Sequence, residues 1–208
     1  MNLANLINGL APIEKKFNDV MINGIEVNSK EVSKGSLFVA IKGHSNDGHS
    51  FINDAFKNGA SAVISEKLQA SSIDKPQIIV EDTRKAASII SSRFYDNPSK
   101  EIIIIGITGT NGKTTTSYII KECLNQAGLK TAQIGTTGII ADGYKQVKTL
   151  TTPDAITLQK LLRTLVKQSF SHVVMEVSSH AIEQLRVQNI DFNIVVFTNL
   201  SEEHLDYH

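Results

Sequence analysis

The sequence predicts an α/β protein in two parts, a small mixed α/β domain followed by a domain built on a parallel sheet. Three observations carry this. The runs EIIIIGI (101–107), HVVMEV (172–177) and NIVVFTN (193–199) are continuous and rich in β-branched residues, the pattern of strands buried on both faces. Helical segments at Thr114–Ala127 and Ala155–Gln168 lie between them, as crossovers between parallel strands require. Polar residues gather just past the carboxyl ends of the runs, where open α/β sheets bind ligands.

The first hundred residues alternate shorter elements. Gly24–Val27, Ser36–Ile41, Ala62–Ser65 and Gln77–Val80 read as strands. Ser50–Asn58 reads as a helix closed by Gly59, and Asp82 or Thr83 caps another that runs to about Tyr95. The turn cluster Asp96-Asn97-Pro98-Ser99 marks the domain boundary, giving domains of 1–98 and 99–208.

Composition excludes several classes of function. Lys plus Arg and Asp plus Glu both number 21, so no global field attracts nucleic acid or an anionic membrane, and any anion site is local. The longest apolar run, Ile102–Ile105, is far too short for membrane insertion, and MNLANLINGLAPIEKKF lacks the features of a signal peptide. Cys123 is the only cysteine, which suits a reducing cytoplasm, and its expected role is helix packing.

The stretch GITGTNGKTTTSYII, residues 106–120, joins a strand to a helix through a glycine-rich loop. Glycines at 109 and 112 let a phosphate approach the backbone, and the helix that follows points its positive end at it. Lys113 would neutralise the β/γ-phosphates and the Thr114 hydroxyl would meet Mg²⁺, with Thr110, Asn111 and Thr115 completing the ATP-binding loop. Ile107 holds the position of the usual first glycine, and Gly106 stands one residue earlier. The plain alternative is a glycine turn followed by a solvated lysine. The loop alone does not separate a kinase from an ATPase, a GTPase or a ligase.

TGTNGKTT resembles the Mur ligases, which build the peptide stem of bacterial peptidoglycan. VNSKEVSKGSLFVAIKGHSNDGHSFI, LTTPDA, MEVSSHAIEQLRV and VFTNLSEEHLDYH are similar, in the family's order, to the branch that adds the third amino acid. The resemblance implies a UDP-binding domain followed by the first part of a P-loop ATPase domain, with the rest of that domain and a C-terminal domain absent. It places Val27, Ser29, His44, Ser45 and Asn46 at the uridine end of the substrate. Thr151, Thr152, Ser178, Gln184 and Arg186 fall at positions contacting the muramoyl-peptide. Lys113 is the implied catalytic residue, and Thr114, Glu176 and His204 are the implied metal ligands, with His180 in support. Glu203 stands where relatives carry aspartate, and Leu150 where many carry asparagine.

The implied partners are UDP-N-acetylmuramoyl-L-alanyl-D-glutamate, ATP with Mg²⁺, and an amino-acid acceptor, diaminopimelate or lysine. The expected reaction is ATP-dependent amide formation through an acyl phosphate. A chain ending at His208 is expected to turn over little by itself and to leave an open edge on its second sheet. Another Mur ligase, a folylpolyglutamate-type ligase, a non-catalytic nucleotide-sugar binding fragment and a small-metabolite kinase remain as alternatives.

Overall fold

The computed structural model describes residues 1–208 except 11, 17–19, 44–45, 71–73, 144–149 and 203–208. The chain forms two compact units, Met1–Phe94 and Tyr95–His208.

In the first unit, α1 (Leu3–Leu6) and β1 (Glu14–Lys16) precede β2 (Gly24–Glu26) and β3 (Ser36–Val39). After these come α2 (Ile52–Lys57), β4 (Ala62–Ser65), β5 (Gln77–Ile79) and α3 (Thr83–Phe94). The sheet order is β1-β5-β4-β3-β2, with β1 antiparallel to β5 and the other pairs parallel. The predicted helix at 50–58 begins instead as a 3₁₀ turn, Gly48–Phe51, because Asp47 Oδ1 accepts the His49 N–H and sets the entry. Of the two candidate caps for α3, Asp82 serves, accepting from Arg84 and Lys85 N–H. Thr83 turns instead to Glu66 Oε1.

The second unit contains β6 (Ile103–Thr108), α4 (Lys113–Gln126), β7 (Thr131–Gly135), β8 (Gly138–Ile140), α5 (Ala155–Lys167), β9 (His172–Glu176), α6 (Ser179–Glu183) and β10 (Ile194–Phe197). The order is β10-β6-β9-β7-β8, parallel except for the β7–β8 hairpin. Alternation along β6 divides the core. Ile104 faces the cluster closed by Leu158, Leu161, Leu162 and Leu165 of α5, whereas Ile105 and Ile107 pack with Ile120 and Leu124 of α4. Asp154 caps α5 through the N–H groups of Ile156 and Thr157, and Pro153 lies just ahead of the cap.

Gly106 belongs to this packing rather than to the phosphate loop. A Cβ there would stand 2.6 Å from the Phe192 ring, which explains a glycine one residue before the usual position. Cys123 departs from expectation: it is exposed, because α4 turns Ser117 and Lys121 inward. The sheet's edges are β8, paired only with β7, and β10, paired only with β6, among the described residues; on β10 Ile194, Val195 and Phe197 are exposed. Among the described residues no helix is long and apolar enough to cross a membrane.

Arg163 of α5 anchors the start of this unit. Its Nε and Nη2 donate to the carbonyls of Tyr95 and Asp96 at 2.8 and 2.9 Å, and Nη2 also reaches Glu101 Oε1 at 2.7 Å. The turn it grips contains two non-glycine residues with positive φ, Asp96 and Asn97. Arg163→Ala is therefore expected to lower the stability of the second unit by about 2 kcal/mol, measured by urea unfolding. The Arg163 guanidinium also holds the Glu101 carboxyl below its ordinary pKa. That contribution is full above the ordinary glutamate value and fades as pH falls through the lowered one.

Candidate active site

The loop between β6 and α4 takes its shape from two glycines. Gly109 has φ +129° and Gly112 φ +85°, a region that side chains rarely enter. Lys113 opens α4, and its Nζ donates to the carbonyls of Gly109 and Thr110 at 2.6 and 2.8 Å. The residues after β10 hold the loop from outside. The Asn199 side chain accepts from Asn111 N–H at 2.9 Å and donates to Asn111 O at 3.0 Å, pairing with the loop backbone as a neighbouring strand would. Thr198 Oγ1 donates to the same carbonyl at 2.7 Å, while Thr110 bonds Ser201 through both hydroxyl and backbone partners. Reading the sequence missed these roles, although the polar cluster after NIVVF was its visible sign.

Glu176 ends β9 in the middle of the sheet and is 0% exposed. Its Oε2 accepts from Thr114 Oγ1 at 2.8 Å and from Thr136 Oγ1 at 3.1 Å, and its Oε1 accepts from Thr136 N–H at 3.1 Å. Room for the carboxylate comes from Gly135, where a Cβ would overlap Glu176 Oε1. Thr136 was also missed. It sits in the two-residue turn of the β7–β8 hairpin, whose signal is GTTG between the apolar residues of TAQI and II.

The expected substrate-side residues gather beside this carboxylate. Thr151 Oγ1 lies 3.1 Å from Thr136 Oγ1. Thr152, expected beside it on the substrate side, has a buried hydroxyl that donates to Glu176 O and accepts from Ser178 N–H, bracing one loop against another. Arg186 grips the same loop through Thr152 O at 2.7 Å and shares Gln184 Oε1 between its Nε and Nη2. The Ser178 side chain caps α6, the helix that carries His180. His204 lies outside the described residues.

In the first unit, Val27 and Ser29 follow β2 and Asn46 follows β3, at the same end of two parallel neighbours. Ser29 O accepts from Asn58 Nδ2 at 2.8 Å, and Gly43 N–H donates to Asn46 O. Below them, His49 bonds Asp47 Oδ1 through Nδ1 at 2.6 Å and accepts from Glu66 N–H through Nε2. These bonds to His49 hold the Asp47 carboxyl below its ordinary pKa. His44 and Ser45 lie outside the described residues.

The donor chemistry around Glu176 fits Mg²⁺. Carboxylate and hydroxyl are hard oxygen donors. Thr114 Oγ1 and Glu176 Oε2 stand side by side, joined by their 2.8 Å hydrogen bond. No group of three or more His, Cys, Asp or Glu stands ready for a metal among the described residues. The pair would leave other places on such a cation to ligand oxygens and water.

Two family models match the chain: the Mur ligase family catalytic domain over residues 21–95 and the Mur ligase middle domain over residues 107–208. The chain belongs to the Mur ligase family. It is 46% identical over 211 residues to a UDP-N-acetylmuramoyl-L-alanyl-D-glutamate–2,6-diaminopimelate ligase of Bacillus velezensis, covering 100% of this chain and 42% of that one. It is 48% identical over 193 residues to the ligase of the same name from Aquifex aeolicus, covering 90% of this chain and 38% of that one. The chain thus spans about two fifths of the length of these Mur ligase relatives.

Among solved structures, a ligase of that same name superposes with a TM-score of 0.77 at 32% identity, over 90% of this chain and 38% of the other. A MurF ligase from Thermotoga maritima in complex with ADP gives a TM-score of 0.58 at 26% identity, over 92% of this chain and 40% of the other. The parallel-sheet α/β architecture expected from the sequence is that of these Mur ligases.

Proposed function

We propose that the chain carries the sugar-nucleotide and ATP-binding portion of a cytoplasmic ligase that adds the third amino acid, 2,6-diaminopimelate or lysine, to UDP-N-acetylmuramoyl-L-alanyl-D-glutamate. The contact between Thr114 and Glu176 carries this reading, because it ties the phosphate loop directly to the strand that leads into the muramoyl-peptide residues.

In the proposed reaction the D-glutamate side-chain carboxylate attacks the γ-phosphorus of ATP, giving an acyl phosphate and ADP. The acceptor amine then displaces inorganic phosphate and loses a proton, leaving the amide. Lys113 exchanges its bonds to loop carbonyls for phosphate oxygens and offsets their charge. Thr114 and Glu176, with His204, would hold Mg²⁺, which would screen the phosphate charge. Thr151, Ser178, Gln184 and Arg186 receive the muramoyl-peptide, with Thr152 as their brace. Val27, Ser29, His44, Ser45 and Asn46 receive the uridine end. No protein nucleophile is needed, since positioning and electrostatics supply the rate.

Calorimetry of the 208-residue chain with ATP and with the UDP-muramoyl-dipeptide tests the reading. Saturable binding of both ligands is expected, with little ADP release when the acceptor is added. Binding of the sugar nucleotide without ATP would replace the ligase reading with a binding-only one. Phosphate transfer to an alcohol with no amine acceptor would replace it with a kinase.

A further inference from the structure

We infer that Thr136 is a positioning residue for the cation site, aiming the Glu176 carboxylate at Thr114; the inference rests on the ligase reading above. One residue grips both carboxylate oxygens, with its N–H 3.1 Å from Oε1 and its hydroxyl 3.1 Å from Oε2. A two-point grip on a planar group fixes its rotation as well as its place. That rotation keeps Oε2 2.8 Å from Thr114 Oγ1. Gly135 leaves the space that the carboxylate fills, so the tight hairpin turn provides both the room and the clamp.

The hydroxyl carries a second link. Thr136 has one hydroxyl proton, and the carboxylate takes it. In the 3.1 Å contact between Thr136 Oγ1 and Thr151 Oγ1, the proton is therefore Thr151's. A directed chain results, Thr151 to Thr136 to Glu176. It joins the residue proposed to meet the muramoyl-peptide to the one proposed to meet the cation. A ligand oxygen that draws the Thr151 proton to itself removes a donor from Thr136 and alters its bond to Glu176.

Thr136 is exposed as a residue and lies in a turn, so its replacement removes no core packing. The test compares the 208-residue chain with Thr136→Val and Thr136→Ser, using Mn²⁺ as the metal probe and ATP as the nucleotide. Binding of ATP in EDTA is measured by calorimetry, and Mn²⁺ affinity of the ATP-loaded chain by electron paramagnetic resonance. Thr136→Val is expected to weaken Mn²⁺ binding about 10-fold or more, as loss of an outer partner to a metal ligand does. ATP binding in EDTA stays at the parent value, because Thr136 bonds the carboxylate rather than the loop. Thr136→Ser, which keeps both donors, restores Mn²⁺ affinity. Parent-like Mn²⁺ affinity in Thr136→Val, or equal loss in the serine variant, overturns the positioning role and leaves the ligase reading intact. A parent chain that binds neither ATP nor Mn²⁺ with ATP overturns both.

Discussion

Gly109→Val is expected to abolish ATP binding and to loosen the carboxyl end of the second sheet. Two independent costs act at this position. The backbone there has φ +129°, where a side chain costs on the order of 1–3 kcal/mol in strain. Any Cβ would also overlap Thr198 Oγ1 and stand 2.8 Å from Asn199 O, so the loop would have to part from the segment after β10. That parting breaks the Asn199–Asn111 pairing and the Thr198 bond that fix the loop. Calorimetry should give no ATP signal, and the thermal midpoint should fall. Parent-like ATP affinity in the folded variant would show that the loop does not need its present shape.

Glu176→Gln is expected to have opposite effects on stability and on cation binding. The carboxylate can only accept, and it lies fully buried among three neutral donor groups. Glutamine has the same shape without the charge. Its carbonyl keeps the Thr136 N–H, and its amide donates to a threonine hydroxyl rotated to accept. Removing a buried charge that has no cationic partner among the described residues should stabilise the unliganded chain by about 1–3 kcal/mol. The same change removes the proposed anionic ligand, so Mn²⁺ binding to the ATP-loaded chain should be lost. A lowered thermal midpoint would refute the first expectation, and retained Mn²⁺ affinity the second.

The sequence made one class of feature plain, namely elements whose burial is continuous. The three β-branched runs became β6, β9 and β10 within two residues at each end, and the phosphate loop lay where its glycines put it. The β7 strand was hidden because polar residues interrupt its apolar ones. Gln133 and Thr131 are nonetheless buried, with the Gln133 amide donating to Ser117 Oγ. The role of Thr136 depends on sheet order. Although β7 precedes β9 in sequence by a hairpin and a helix, the two are neighbours in the sheet, and only that adjacency brings Thr136 to Glu176. Thr152 shows what residue type leaves out. Its hydroxyl also bonds the neighbouring backbone, a role that only the packing reveals. Residue type pointed to polar side chains near Glu176; only packing showed which of them bond the neighbouring backbone.

The bonds from Lys113 Nζ to the carbonyls of Gly109 and Thr110 make the loop its own first ligand. The ammonium is already coordinated, so an incoming anion competes for it rather than filling an empty place. Each anion must outbid two well-formed bonds to neutral oxygens before it gains anything from the positive charge. A small ion such as chloride, with one point of contact, has little to offer in that exchange. A polyphosphate tail replaces both carbonyls and reaches the loop amides as well. The lysine thus sets a threshold, and the loop discriminates by the number of oxygens a ligand can present together.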